Sequence, residues 1–156
     1  MKLTLVLVGK TTNPNLQALI DDYQGRLVHY IPFSVQVIPE LRNARSLSEA
    51  EQKEAEGKLI LQQVENGDRV VLLDERGKQF RSVELAQRMQ QLLFDGRDVK
   101  VVVGGPYGFS DKVYGRADEM WSLSKMTFSH QMIRLLFVEQ AYRAMTILKG
   151  EKYHHE

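Results

Sequence analysis

Two short apolar runs do most to limit what this chain can fold into. They lie at Val70 to Leu73 and at Val99 to Val103, and the second is broken only by Lys100. Such runs are typical of strands that are covered on both faces, as in a parallel sheet between helices. Between them, Val83 to Phe94 places apolar residues at helical spacing. The order of strand, helix and strand therefore predicts an α/β fold with a mostly parallel sheet flanked by helices.

The same alternation of strand and helix continues from one end of the chain to the other. The further predicted elements are a strand at 3–8, a helix at 16–29, a half-exposed strand between Pro32 and Pro39, a weaker strand at 121–124 and a last helix at 129–148. A long helix is predicted to begin at Ser46, because Glu49 completes a capping-box spacing. Gly67 is expected to cap its C-terminus.

Length and composition narrow the class of protein. A chain of 156 residues fits one domain, at 1–156. The absence of cysteine excludes disulfides and thiolate metal sites, and no histidine or aspartate spacing indicates a metal, so none is predicted. Neither a signal peptide nor an apolar run of roughly 20 residues is found, so a cytoplasmic protein without membrane contact is expected. With a net charge of +1, any RNA binding needs a local patch or a preformed target shape.

Three loops follow the last three predicted strands, at 74–77, 104–109 and 124–130. Ligands of open parallel sheets bind beyond the carboxyl ends of the strands, where loops and helix N-termini converge. We therefore expect these three loops to lie side by side and to form the functional site.

Two of these loops admit both a functional and an ordinary interpretation. Gly104 and Gly105 would let a flat ligand lie against the backbone, but the turn matches neither the dinucleotide nor the P-loop motif, and alone it favours simple turn geometry. In the segment from Leu123 to Phe128, hydroxyl groups alternate with apolar side chains, which suits a purine. The same segment also fits an ordinary strand-to-helix turn with Ser129 as N-cap.

Polar residues near the C-terminus are candidates for the substrate side. His130 is predicted in the first turn of the last helix, where the positive helix end disfavours a protonated imidazole. It either contacts an anionic ligand or is simply exposed, and Arg134 lies one turn later on the same face. Tyr153 and His154 belong to a tail whose residue types stack on bases and bind phosphates. Its composition favours an ordered tail.

Several segments together resemble one known family, the large-ribosomal-subunit RNA methyltransferases H of the SPOUT superfamily. The segments that carry the resemblance are the opening 2–6, the glycine turn at 104–110, the segments 121–130 and 134–144, and the closing Tyr153-His154. The resemblance covers the full chain, and the ordered combination is far more specific than any one segment.

The resemblance implies a C-terminal trefoil knot, a homodimer and S-adenosylmethionine as methyl donor. It further implies methylation at N3 of a pseudouridine in 23S rRNA of assembled ribosomes. The residues that it assigns to the donor are Leu73, Gly104, Gly105, Leu123, Ser124, Lys125, Met126, Thr127 and Phe128. His130, Arg134, Tyr153 and His154 are the candidates for the substrate side, with a contribution across the dimer left open.

Two other classes of function remain open at this point. The glycine turn could serve a regulatory nucleotide-binding domain that performs no chemistry. Alternatively, the chain could be a ribosome-associated dimer without catalytic activity.

Overall fold

The computed structural model describes residues 1–156 as one five-stranded sheet with helices on both faces. All strands are parallel, in the order β2-β1-β4-β3-β5. The elements are β1 Leu3–Val8, α1 Pro14–Leu27, β2 Phe33–Ile38, a 3-10 turn Ala44–Ser46, α2 Glu49–Gln62, β3 Arg69–Gln79, α3 Ser82–Asp95, β4 Val99–Val103, α4 Asp111–Arg116, β5 Glu119–Ser122 and α5 Met132–Leu148. The predicted fold class is confirmed.

The central strands are buried on both faces, as their apolar runs predicted. In β1, Leu3, Leu5 and Leu7 contribute to a core with α1, α3 and α5. Val6 and Val8 point to the opposite side and pack in a second core under α2 and α4. Because side chains alternate along a strand, a run of mostly apolar residues is what two cores require. At the edge of the sheet, β2 is half exposed, as its alternation indicated.

Helix α2 begins three residues later than the capping-box spacing at Ser46 and Glu49 predicted. The same spacing recurs at Ser48 and Glu51, and the structure uses this second pair. The Ser48 hydroxyl accepts a hydrogen bond from the Glu51 backbone N–H at 3.1 Å, and the Glu51 carboxylate accepts one from the Ser48 N–H at 3.3 Å. Ser46 belongs to the preceding 3-10 turn.

Two further predictions of helix ends were wrong. Gly67 does not cap α2, which ends at Gln62. Helix α5 begins at Met132, so His130 precedes the helix and does not lie in its first turn. Ser129 nevertheless makes a capping contact, because its hydroxyl accepts a hydrogen bond from the Met132 N–H at 3.0 Å.

The region around the predicted loop at 74–77 is more regular than expected. These residues continue β3 to Gln79, although the pairing with β5 slips there, since both Leu73 and Lys78 stand opposite Trp121. Strand β5 lies two residues earlier than predicted. The six-residue helix α4 was not predicted, because it is too short to show a helical period.

None of the five helices combines the length and apolarity needed to span a membrane. The trefoil knot and the single domain at 1–156 stay predictions.

Candidate functional site

The carboxyl ends of β4, β3 and β5 are neighbours in the sheet, as the sequence predicted. The segments that follow β4 and β5, together with residues 73–76 within β3, line one cavity of about 770 Å³. Eight of the nine residues assigned to a donor are on its wall, namely Leu73, Gly104, Gly105, Leu123, Ser124, Met126, Thr127 and Phe128. Lys125 is not on the wall, although both of its neighbours in the chain are. A cavity of this volume is within the usual range for small-molecule sites, about 300–1,000 Å³.

The glycine turn after β4 packs closely against neighbouring side chains. A Cβ at Gly104 would meet the Phe109 ring at 3.1 Å, and one at Gly105 would meet the Glu56 carboxylate at 2.6 Å. Gly108 has a φ of 83°, a left-handed conformation that favours glycine, and its N–H donates to the Gly105 carbonyl at 3.2 Å. The glycines therefore allow close packing against Phe109 and Glu56, which the sequence did not reveal.

The segment between β5 and α5 is organised by its own hydroxyl groups. Ser122 donates to the Ser124 carbonyl at 2.8 Å, and the Ser124 hydroxyl accepts from the Met126 N–H at 3.0 Å. Met126 is 75% exposed and Phe128 39%, although both are large and apolar. Such side chains on a cavity wall offer an apolar surface to a flat ligand.

Asp74 and Tyr114 are cavity residues that the sequence analysis did not assign. Asp74 lies at the start of the slipped part of β3 and accepts a hydrogen bond from the Tyr114 hydroxyl of α4. Arg76 donates its backbone N–H to the same carboxylate at 2.9 Å. The 74–77 segment had been noticed as a loop, but nothing in the sequence indicated a short helix that brings a tyrosine to it.

His130 lies on the cavity wall. Burial lowers the pKa of its imidazole below the ordinary value, and the positive charge of Arg134 lowers it further. The carboxylates of Glu40 and Glu56 act in the opposite direction but do not reverse the shift. His130 is therefore a neutral imidazole at neutral pH, for reasons other than the helix end that the sequence analysis invoked.

Arg134 is fully buried and its guanidinium is bound to the backbone. It donates to the carbonyls of Val8, Gly9 and His130, each at 2.9 Å, and to the Thr11 hydroxyl at 3.0 Å. These contacts join the end of β1 to the segment that precedes α5. Arg134 consequently fixes where His130 stands and does not itself reach the cavity wall.

Tyr153 and His154 lie apart from the cavity of their own chain. Tyr153 donates to the Glu139 carboxylate at 2.9 Å and packs on the Tyr142 ring at 4.8 Å between centroids. His154 Nδ1 is 3.1 Å from Arg143 Nη1. Burial and the hydrogen bond with Tyr23 raise the pKa of Tyr153. The tail is ordered against α1 and α5, while the four substrate-side candidates fall into two separate groups.

A parallel α/β sheet with one large cavity at the carboxyl ends of three adjacent strands defines a small-molecule-binding or catalytic α/β protein. Comparison with known families makes this class more specific. The family model described as "Predicted SPOUT methyltransferase" matches residues 1–154, and the chain belongs to this family of methyltransferases.

Curated relatives cover this chain almost completely. Three of the most similar are each named "Ribosomal RNA large subunit methyltransferase H". The protein from Parabacteroides distasonis is 54% identical over 157 residues, and that from Bacteroides fragilis is 55% identical over 157 residues, each with 100% of both chains covered. The protein from Christiangramia forsetii is 54% identical over 156 residues, with 99% of both chains covered. The resemblance to this family is confirmed.

Proposed function

We propose that this chain transfers a methyl group from S-adenosylmethionine to large-subunit ribosomal RNA, at N3 of a pseudouridine in 23S rRNA of assembled ribosomes. The names of its full-length relatives support the RNA substrate. The cavity carries the proposal for the donor, because its walls are the three segments that the family resemblance associates with S-adenosylmethionine. The choice of N3 of a pseudouridine as the methylated atom rests on the family resemblance.

The segment from Leu123 to Phe128 fits an adenine ring. Met126 and Phe128 are exposed apolar side chains that can pack on the faces of the ring, and the backbone groups of the segment can bind the purine edge. We assign Leu73, Gly104 and Gly105 to the adjoining walls, and Lys125 takes part as backbone within the segment. S-adenosylmethionine, when bound, would supply a methyl group on a sulfonium centre, and these walls would hold the donor for transfer to the nucleophile.

His130 is the residue that we assign to proton transfer. N3 of pseudouridine carries a proton, and a base that accepts it favours attack on the methyl group. The imidazole is on the wall of the same cavity, and its lowered pKa keeps it in the accepting form at neutral pH. Arg134 acts as a positioning residue through the His130 carbonyl.

The tail residues are proposed to act from a second copy of the chain. Tyr153 and His154 do not line the cavity of their own chain, so a role beside substrate requires a homodimer in which the tail of one protomer reaches the cavity of its partner. The net charge of +1 further supports recognition of a preformed ribosomal surface over naked RNA.

The decisive experiment is transfer of tritiated methyl groups to ribosomal particles that lack the modification, with mapping of the labelled nucleoside. We expect label at a pseudouridine N3 of 23S rRNA in particles and far less in isolated 23S RNA. Absence of incorporation would favour the two rival functions, a regulatory nucleotide-binding domain or a non-catalytic ribosome-associated dimer. Equal labelling of particles and isolated RNA would contradict the proposed recognition of a ribosomal surface.

A further inference from the structure

The charged side chains on the cavity wall are all on one side of it. Asp74, Glu75 and Arg76 are the only acidic or basic residues among those that line the cavity, apart from the titratable His130. They are consecutive in β3, where its pairing with β5 slips. The segment from Leu123 to Phe128 contributes only apolar and hydroxyl side chains to the wall. The cavity thus has an apolar part and a charged part.

Asp74 is a buried carboxylate that remains ionised. Its side chain is only 9% exposed, and its two oxygens accept hydrogen bonds from the Tyr114 hydroxyl and from the Arg76 N–H. Burial would raise the pKa of Asp74, but these hydrogen bonds, with the charge of Arg76, hold it below the ordinary value. Oδ1 accepts from both the backbone N–H and the Nε of Arg76, whereas Oδ2 accepts only from the Tyr114 hydroxyl and so can receive one more donor.

Arg76 stands beside this carboxylate with most of its donors free. Its Nε donates to Asp74 Oδ1 at 3.4 Å, and its guanidinium lies over the Tyr114 ring at 4.7 Å from the centroid. The side chain is 65% exposed. Because a guanidinium carries five N–H groups in a planar fork, the outer edge can bind a carboxylate with two parallel hydrogen bonds.

We propose that Asp74 and Arg76 bind the amino-acid end of the methyl donor, Asp74 accepting from the α-ammonium and Arg76 donating to the α-carboxylate. Tyr114 is the positioning residue, since it touches both side chains. This inference rests on the proposed function, which makes S-adenosylmethionine the ligand. The adenine is flat and largely apolar and the ribose is neutral, so the zwitterionic amino-acid end is the part that matches an adjacent anion and cation.

Four related ligands separate the contributions of the two side chains. S-adenosylmethionine and S-adenosylhomocysteine have both the ammonium and the carboxylate. Decarboxylated S-adenosylmethionine keeps the amine and the sulfonium but lacks the carboxylate. 5′-Methylthioadenosine lacks the whole amino-acid end and keeps the adenosine. Calorimetric titration of the full-length protein with each ligand gives the affinities.

The two variants have different expected patterns. Asp74→Asn should lower the affinity for the three ligands with an amine by about tenfold to a hundredfold, as expected for a lost charge-assisted hydrogen bond. Its affinity for 5′-methylthioadenosine should be unchanged. Arg76→Gln should lower the affinity only for the two ligands that have a carboxylate. Unchanged binding of 5′-methylthioadenosine also shows that each variant still folds its cavity. Asp21→Asn, on the exposed face of α1, is the control and should bind all four ligands as the wild type does.

Two results would overturn the assignment. If Asp74→Asn weakened 5′-methylthioadenosine as much as the others, the carboxylate would contact the ribose or maintain the cavity. If neither variant changed any affinity, Asp74 and Arg76 would be a local ion pair only. Failure of the proposed methyl donor looks different, because the wild-type protein itself would then bind none of the four ligands.

Discussion

The guanidinium of Arg134 is bound to the His130 carbonyl and so lies close to the imidazole. The effect of this neighbour on the pKa of His130 can be tested by measuring activity against pH. Because burial and the nearby guanidinium lower the pKa of His130, its accepting form should persist below the ordinary histidine value of about 6.5. Activity should therefore fall only as the pH drops through that lowered pKa. Methyl transfer to ribosomal particles, measured as kcat/KM against pH, checks this expectation.

Substitution of the histidine itself, His130→Gln, should reduce kcat roughly a hundredfold or more, as for loss of a general base. It should also remove the acid limb, the fall in activity at low pH. His29→Gln changes an exposed histidine beyond the end of α1 and should keep the wild-type profile. Wild-type turnover by His130→Gln, with an unchanged acid limb, would eliminate the histidine as the base.

Arg134 itself should matter for stability as much as for activity. A lysine in its place has one ammonium and cannot reproduce the fork that spans the carbonyls of Val8, Gly9 and His130. With buried carbonyls left unpaired, Arg134→Lys should cost about 3 kcal/mol, or a fall in Tm of roughly 6–12 °C. Thermal unfolding gives the Tm of this variant and of the control Arg45→Lys, which changes an exposed arginine in the 3-10 turn. Equal Tm values for both variants would refute the structural role.

At the level of elements, the slip in β3 depends on a backbone contact at Gly77. A Cβ there would lie 2.5 Å from the Met120 carbonyl carbon and from the Trp121 nitrogen, so alanine forces the two strands apart. Gly77→Ala should destabilise the fold by about 2–4 kcal/mol and weaken donor binding, since the slipped segment presents Asp74 and Arg76.

The control for this change is Gly115→Ala in α4, where a Cβ meets nothing within 4 Å. That substitution should leave stability unchanged or raise it by about 0.5–1 kcal/mol, because alanine favours helices. Urea unfolding of both variants measures the difference. A Gly77→Ala protein as stable as Gly115→Ala would show that the close approach of β3 and β5 is not required.

The same elements explain which parts of the site could be predicted from sequence. The parallel sheet could be predicted from the apolar runs of β3 and β4, because strands covered on both faces need such runs. The position of the cavity could be predicted because ligands of parallel sheets bind at the carboxyl ends of the strands. The slip at Gly77 and the helix that contains Tyr114 could not be predicted. The slip depends on a backbone contact between distant segments, and the helix is less than two turns long, too short to show a hydrophobic period.

At the scale of the whole molecule, His130 lies apart from Tyr153 and His154, although all three are candidates for the substrate side. The first is on the cavity wall, whereas the tail is tied to Glu139 and Arg143 in the second half of α5. From Met132 to Arg143 the helix rises about 16 Å, at 1.5 Å per residue. We therefore expect His130 and the tail of the same chain not to contact the same target base, and propose that a second protomer brings its tail to the cavity.

Subunit complementation tests this arrangement directly. We expect His130→Ala, and a tail variant that combines Tyr153→Phe with His154→Ala, each to be inactive as a homodimer. Mixed after joint refolding or co-expression, they should regain about one quarter of wild-type activity, since half of randomly formed dimers are mixed and each of these has one intact site. Each variant mixed with itself is the control, and sedimentation confirms that dimers form. If tail and cavity act within one chain, both sites of a mixed dimer are defective and no activity returns. A dimeric mixture without activity would therefore reject the shared site, even if both residues proved essential.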